Sequence, residues 1–454
     1  MADYSIRKGF DLRLDGRPAA TLADAPQSPL AVLQPLEFAG IKQRLLVREG
    51  DTVKRGTPLV EDKRNPALKL RAPAAGTVES IIRGDRRLVE RIVIRTDHDN
   101  AAETLFPPYA PAALATAGAR ALLTHLVDSG YIVLIRQRPF SGIADPEKKP
   151  GAIFVNAMNT APFEPDPAVV VADDPTAFQA GLDALTQLTD GAVHLCVGPD
   201  AAPALRAAQH VQIHTFSGPH PSGNTSVHIS RVAPMAKTDV VWTVRAADAV
   251  RIGRLFLDGR LPPTRIVALG GTGVRPEARR HYRVRAGASL KPLLDASLLP
   301  GDFRLIEGNV LSGSILPPDA ALSFFQGAIN AIPEGHNREF LGWLAPGLDR
   351  LSFLPTYLST WFARSRSWAL NTSKNGGDRA MVLTGLYDRV MPLNIMVDFL
   401  IRAVLAGDTE EAIKLGILET DPEDFALCDF VCPCKTEIQT IIRKGLQQIE
   451  AEGL

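Results

Sequence analysis

The sequence is poor in cysteine, has no excess charge of either sign and has no long apolar run. Each shortage removes a class of protein. Its four cysteines, Cys196, Cys428, Cys432 and Cys434, are too few to staple a secreted chain of this length, which points to a cytoplasmic address. No stretch of about 20 apolar residues occurs, so no segment is expected to span a bilayer. The most apolar long stretch, 390–407, is interrupted by Asn394, Asp398 and Arg402, which suits a core or interface helix. The N-terminus, MADYSIRKGFDLRLDG, lacks an apolar h-region and does not read as a signal peptide. Lys plus Arg number 50 and Asp plus Glu number 50, whereas broad nucleic-acid binding needs a concentrated basic face. Membrane association is therefore expected through partners.

What is present is enough chain for two to four domains, at 454 residues. Residues 40–95 read as short strands punctuated by Gly and Pro, the pattern of a small β-barrel or sandwich. Over 112–255 the pattern becomes α/β. Apolar runs at 131–135, 152–155 and 193–197 read as buried strands, and 176–188 has helical spacing through Phe178, Leu182, Leu185 and Leu188. That alternation predicts an open sheet of parallel strands, with Pro-rich loops at 139–150 and 161–167 where such sheets bind ligands. Short strands return at 265–269, 281–284 and 303–306, a small mixed-β module. The remainder is mainly helical. Leu393, Met396, Val397, Leu400 and Val404 form one helical stripe. Asp408 is placed as an N-cap with Glu411 as its reciprocal partner, Asp421-Pro422 opens another helix, and the last helix runs over about 435–451.

Five features could carry chemistry. The order Glu49-Gly50-Asp51, Gly56, Pro73, Gly76 and Val78 is that of a biotinyl/lipoyl-type hybrid barrel, but Lys63 in Glu61-Asp62-Lys63-Arg64 lacks the surround of a carrier lysine, and a structural barrel is the favoured reading. Gly270-Gly271-Thr272-Gly273 follows a strand without the full G-x-G-x-x-G order, so it reads as a turn. His194, His210, His214, His220 and His228 crowd one region. His210 and His214, four apart, would share a face of a strand or a helix, but no third metal ligand is evident. Cys428, Cys432-Pro433 and Cys434 resemble the tail of an iron–sulfur motif whose upstream C-x-x-C is missing. Finally, Arg136-Gln137-Arg138-Pro139-Phe140 and Phe154 to Thr160 offer arginines, an aromatic ring and amides at strand ends. These fit either a planar or anionic ligand or an ordinary surface loop.

Several motifs in order resemble one family. They are Lys8-Gly9-Phe10-Asp11-Leu12, Val47-Arg48-Glu49-Gly50-Asp51, Glu61-Asp62-Lys63-Arg64-Asn65-Pro66, Phe154-Val155-Asn156-Ala157-Met158, Gly218-Pro219-His220-Pro221-Ser222-Gly223 and Ile252-Gly253-Arg254-Leu255-Phe256. The ending from Asp421-Pro422-Glu423-Asp424 through Leu427-Cys428 to Phe430-Val431-Cys432-Pro433 completes the set. From about residue 5 to 450 the chain resembles the A subunit of the sodium-translocating NADH:quinone oxidoreductase. That family is related in fold to the flavoprotein subunit of respiratory complex I and to the C subunit of the Rnf complex.

The resemblance implies an α/β multidomain fold: a hybrid β-barrel at 1–105, a Rossmann-like α/β domain at 106–257, a β-grasp ligand-binding module at 258–330 and a helical C-terminal domain at 331–454. It implies a peripheral protein on the cytoplasmic face of the bacterial inner membrane, docked to the membrane-embedded B subunit, in a complex that oxidises NADH, reduces ubiquinone and exports Na+. Flavins, the iron–sulfur centre and NADH would belong to partner subunits. This chain would hold no metal, no cofactor and no catalytic residue. If ubiquinone touches it, the resemblance and the loop chemistry point to Arg138, Phe140, Asn156, Met158 and Asn159, with the ring stacked on Phe140 and an arginine donating to its carbonyl. The rival readings are a docking subunit with no small ligand, a stand-alone flavin-dependent NADH dehydrogenase, which would purify yellow, and a carrier loaded on Lys63, which intact mass would reveal.

Overall fold

A computed structural model describes residues 2–97, 102–336, 340–362 and 365–453. The Gly- and Pro-punctuated region near the N-terminus forms two small sheets. One has the order Leu30–Leu33, Val89–Thr96, Gly76–Arg83, Thr52–Val53, and the other Gln43–Leu45, Pro58–Asp62, Lys69–Arg71. Val78, Ile92 and Ile94 from the first pack into one core with Leu59, Val60 and Leu70 from the second. Lys63 is exposed on the hairpin turn after Pro58–Asp62, its amide donating to the Lys42 carbonyl at 2.8 Å.

The next region builds a seven-stranded sheet in the order Ala2–Ser5, Gln212–Ser217, Val193–Val197, Ala152–Ala157, Val241–Arg245, Arg136–Arg138, Gly142–Ile143. The first five strands are parallel; the last two form an antiparallel hairpin. Successive side chains on a strand point to opposite faces, and here each face has its own cover. Ile153, Val155, Leu195 and Val244 join the core shared with the helices Pro175–Thr186 and Ala246–Asp258 and with the small sheets. Phe154, Cys196 and Phe216 join a second core made with the C-terminal helices. Burial on both faces is why the strands read as unbroken apolar runs. The two helices on the first face cross closely. A Cβ on Gly181 would lie 2.1 Å from the Ala249 carbonyl oxygen, and one on Gly253 would lie 1.7 Å from that of Ala177.

Residues 131–135, expected as a strand, are instead a 3-10 turn, Tyr131–Leu134, and the strand is Arg136–Arg138. The chain enters the turn through left-handed Gly130 (φ 78), where a Cβ would meet the Lys69 carbonyl at 2.3 Å. A short buried apolar run carries no periodicity that separates strand from helix.

A six-stranded sheet follows, ordered Ser314–Ile315, Phe303–Glu307, Ala328–Pro333, Thr264–Gly270, Arg280–Arg285, Ala19–Asp24. The helix Lys291–Ser297 packs Leu293 and Leu294 into its core. The first 24 residues thus pair outside the small N-terminal sheets: Ala2–Ser5 extends the seven-stranded sheet and Ala19–Asp24 the six-stranded one. Gly271 follows its strand in a turn, as expected, with φ 100.

The C-terminal region carries the helices Val397–Ala406, Thr409–Lys414, Ala426–Val431 and Ile438–Ala451. Leu393 and Met396 of the expected stripe precede the first of these; Met396 has non-helical φ and ψ and an exposed side chain. Asp408 does cap its helix, accepting the Glu411 amide at 2.9 Å. The acid-to-cap bond expected of Glu411 is found further on, where Asp424 accepts the Asp421 amide at 2.8 Å. No helix among the described residues is long and apolar enough to cross a membrane.

Candidate functional site

In the seven-stranded sheet the chain leaves Ala152–Ala157 toward one edge, builds Val193–Val197 and Gln212–Ser217, and returns to place Val241–Arg245 on the other side. Between these neighbouring parallel strands the connections diverge, so their C-terminal ends open a crevice, the usual ligand position in such sheets. Asn156 and Arg245 are register partners at its mouth. The crevice is lined from the sheet by Asn156 and Arg245, from helix Ala246–Asp258 by Asp248, Arg251 and Arg254, from the strand Thr264–Gly270 by Arg265, and from loops by Asn159, Glu164 and Phe325.

Its polar groups are held in a tight set. Arg245 donates from Nε to Asp248 Oδ2 at 2.7 Å while nearly half its side-chain surface faces solvent. Asp248 is buried and also meets Arg251 at 3.1 Å. Burial raises its carboxyl, but Arg245, Arg251 and Arg265 outweigh that and hold it below the usual range. Glu164 is pushed up by burial, partly offset by the Asn309 amide at 3.1 Å. Arg254 bridges Asp173 at 2.9 Å and Asp174 at 2.8 Å.

Behind the crevice a short loop is pinned on all sides. Arg265 donates to the Ser323, Phe324 and Gln326 carbonyls at 2.6, 2.5 and 2.6 Å. Arg251 lies 4.3 Å from the Phe324 ring centroid and Arg136 4.3 Å from that of Phe325. Glu37, from the small N-terminal sheets, accepts the Phe324 amide at 2.6 Å. Burial, with Glu307 nearby, pushes the Glu37 carboxyl up to about 8.

The five residues expected from sequence divide in two. Asn156 and Asn159 line the crevice. Asn156 donates to the Gly223 carbonyl at 2.8 Å and to Thr225 at 3.1 Å, and Asn159 to the Pro165 carbonyl at 2.6 Å. Arg138, Phe140 and Met158 do not line the crevice. Arg138 is buried, donates to the Thr420 carbonyl at 2.9 Å and lies 3.5 Å from Asp421. Phe140, at φ 76, and Met158 pack into the C-terminal helical core. The sequence reading missed Arg245, Glu164, Asp248 and Arg251. The available signal was the Arg245 to Asp248 run, a charge directly after an apolar strand and a carboxylate three residues on.

The histidines separate likewise. His210 lies outside the strand Gln212–Ser217 and pairs with Asp183 at 2.9 Å, so it does not share a face with His214 as expected. His214 Nε2 instead lies 3.0 Å from His194 Nδ1 on the neighbouring strand. All four cysteines are free and buried; Cys432 Sγ lies 3.0 Å from Tyr387 Oη. Among the described residues no three His, Cys, Asp or Glu side chains are grouped as metal ligands would be.

The fold and crevice define a mixed α/β protein whose first domain is a barrel-sandwich hybrid, the description of the family model matched at residues 4–97, "NqrA N-terminal barrel-sandwich hybrid domain". Residues 117–261 match "NqrA second alpha/beta domain" and 266–316 match "NQRA C-terminal domain". Over 449 residues, 99% of either chain, the sequence is 40% identical to the A subunit of the Na(+)-translocating NADH-quinone reductase of Neisseria meningitidis serogroup C and 42% identical to that of Yersinia pestis bv. Antiqua. The chain belongs to this family, the A subunits of the Na(+)-translocating NADH-quinone reductase. Among solved structures it is similar to a chain of an air-oxidized NAD+-reducing [NiFe]-hydrogenase, at 12% identity and a TM-score of 0.39, covering 77% of this chain and 66% of that one.

Proposed function

We propose that the chain is the peripheral subunit of a complex that oxidises NADH, reduces ubiquinone and exports Na+, and that its crevice receives the ubiquinone headgroup. It docks on the membrane-embedded B subunit at the cytoplasmic face of the bacterial inner membrane, while flavins, the iron–sulfur centre and the NADH site reside in other subunits. Its domains are a hybrid barrel at 1–105, a Rossmann-like domain at 106–257, a β-grasp module at 258–330 and a helical domain at 331–454. Parallel strands around a divergence point support the second assignment.

One observation carries the quinone reading: the half-exposed Arg245 guanidinium stands opposite Asn156 at the diverging strand ends, with Asn159 and the Phe325 ring on the same lining. A quinone carbonyl accepts hydrogen bonds, and a charge-assisted one contributes about 1.5–3 kcal/mol. Arg138, Phe140 and Met158 act by fixing the strand-end loops. Calorimetric titration of the purified chain with a short-chain ubiquinone tests this. Arg245→Ala is expected to weaken binding about tenfold, and unchanged affinity removes the crevice from quinone binding.

A docking role without a small ligand is the second reading. It is favoured by Asn156, whose amide donates to Gly223 and Thr225 within the protein, and by Arg138, which is buried and donates to the Thr420 carbonyl. A wild-type chain that joins the complex yet gives no heat with quinone supports it.

A further inference from the structure

Exposed apolar side chains on this protein are not scattered. Of nineteen large hydrophobic residues exposed among those described, eight fall within residues 340–362. Phe340, Leu344, Leu348, Leu358, Trp361 and Phe362 are among them, Trp361 at 59% and Phe362 at 78% exposure. Exposed apolar side chains concentrated in this way mark an interaction site. The same segment supplies Leu351, Leu354 and Tyr357 to the lining of a broad cleft that Ile306 and Ile315 of the six-stranded sheet also line.

The sheet edge at this cleft says what shape of partner fits. Its outermost strand, Ser314–Ile315, is two residues long and pairs only with Phe303–Glu307 among the described residues, leaving its outer side without a strand. Ile315 is 71% exposed there. An open edge beside apolar walls accepts an extended chain by strand addition, with backbone bonds along the edge and alternate side chains entering the cleft. Charge adds a constraint. The whole chain is balanced, yet residues 340–379 hold five Lys and Arg against two Asp and Glu.

We propose that the Ser314–Ile315 edge and the 340–362 segment form one docking surface for an extended segment of another subunit of the reductase, apolar at alternate positions and acidic at its flanks. This rests on the reading of the chain as a subunit held by partners; the crevice plays no part in it.

The test uses the full-length chain and an assembly of the remaining subunits purified without it. Amide hydrogen exchange is followed on the free chain, on the chain with that assembly, and on the chain with vesicles of three parts phosphatidylcholine to one part phosphatidylglycerol. Protection of residues 314–316 and 340–362 is expected to rise at least tenfold with the assembly and to stay unchanged with vesicles. The variants Ile315→Pro, which removes an edge donor, and Trp361→Glu/Phe362→Glu, at exposed positions, are expected to weaken association at least tenfold with unchanged thermal midpoints. If the wild-type chain joins the assembly but these residues gain no protection, the docking surface is wrong and the subunit reading stands. If the wild-type chain does not join, the subunit reading itself fails. Protection by vesicles alone, or by self-association on concentrating the chain, replaces the partner segment with a bilayer or a second copy and overturns the proposal.

Discussion

His194 Nδ1 and His214 Nε2 lie 3.0 Å apart on neighbouring strands, with the Phe154 ring against His194 and the Tyr4 ring against His214. Only one proton fits between the two nitrogens. Burial holds His194 down to about 4 and His228 to about 3, and lowers His214 as well. A ring whose folded-state value is depressed binds fewer protons folded than unfolded, so stability is lost as pH falls from about 6.5 toward 4. The expected loss is on the order of 3 kcal/mol for His194 alone. The denaturation midpoint measured across pH 4–7 should drop steeply on the acid side, and His194→Gln should flatten that slope.

Glu37 has the opposite sign. Its carboxyl, pushed up to about 8, keeps a proton in the folded state that the unfolded chain has released. It therefore destabilises the fold progressively as pH rises from about 4.5 to 8. Glu37→Gln resembles the protonated form and should leave stability near pH 5 unchanged while raising it at pH 8. A variant equally stable or weaker at pH 8, by urea unfolding, contradicts a neutral Glu37.

Phe324 joins three parts of the molecule, touching Phe38 of the small sheets, Tyr131 before the large sheet and Arg251 of its helix. Phe324→Ala is expected to cost about 2 kcal/mol, less than the roughly 3–5 kcal/mol of a fully buried phenylalanine, because the ring is half-buried. Broader unfolding transitions should accompany the loss, as the small sheets uncouple from the rest.

Gly253 tests helix packing against helix propensity. Alanine is the better helix former by about 1 kcal/mol, yet its Cβ would lie 1.7 Å from the Ala177 carbonyl oxygen. Overpacking of this kind costs roughly 1–3 kcal/mol or more. Gly253→Ala should be net destabilising in chemical denaturation, and a stabilised variant would mean that the two helices separate freely.

Arg138 ties the sheet to the turn before the last helices. Removing a buried charge partner leaves the Thr420 carbonyl without its bond, and Arg138→Ala should destabilise by about 2–4 kcal/mol. Limited proteolysis should then cut first within residues 380–453, whereas an unaltered cleavage pattern places the anchor elsewhere.

Much of the architecture was legible in residue order. Gly and Pro spacing marked the small sheets, apolar runs marked the parallel strands, and Asp408 marked its helix start. The misreadings share a cause. Residues 131–135 became a turn, and His210 separated from His214, because short segments do not carry the contacts that choose their conformation. Of the crevice, sequence located Asn156 and Asn159. Arg138 and Phe140, close to them in composition and loop character, turned out to face the C-terminal helices.

The sequence by itself determined the family, through ordered motifs along the whole chain, and the local elements whose signals are periodicity, caps and turn residues. Those signals act over a few residues and survive in one dimension. Only the tertiary structure decided that the first 24 residues feed two different sheets, that Arg245 stands opposite Asn156, and that a phenylalanine loop near residue 324 is clamped by arginines and a glutamate remote in sequence. Such pairings depend on strand order and on which face of a strand meets which cover. A difference of one residue in register reverses that choice, and no local pattern records it.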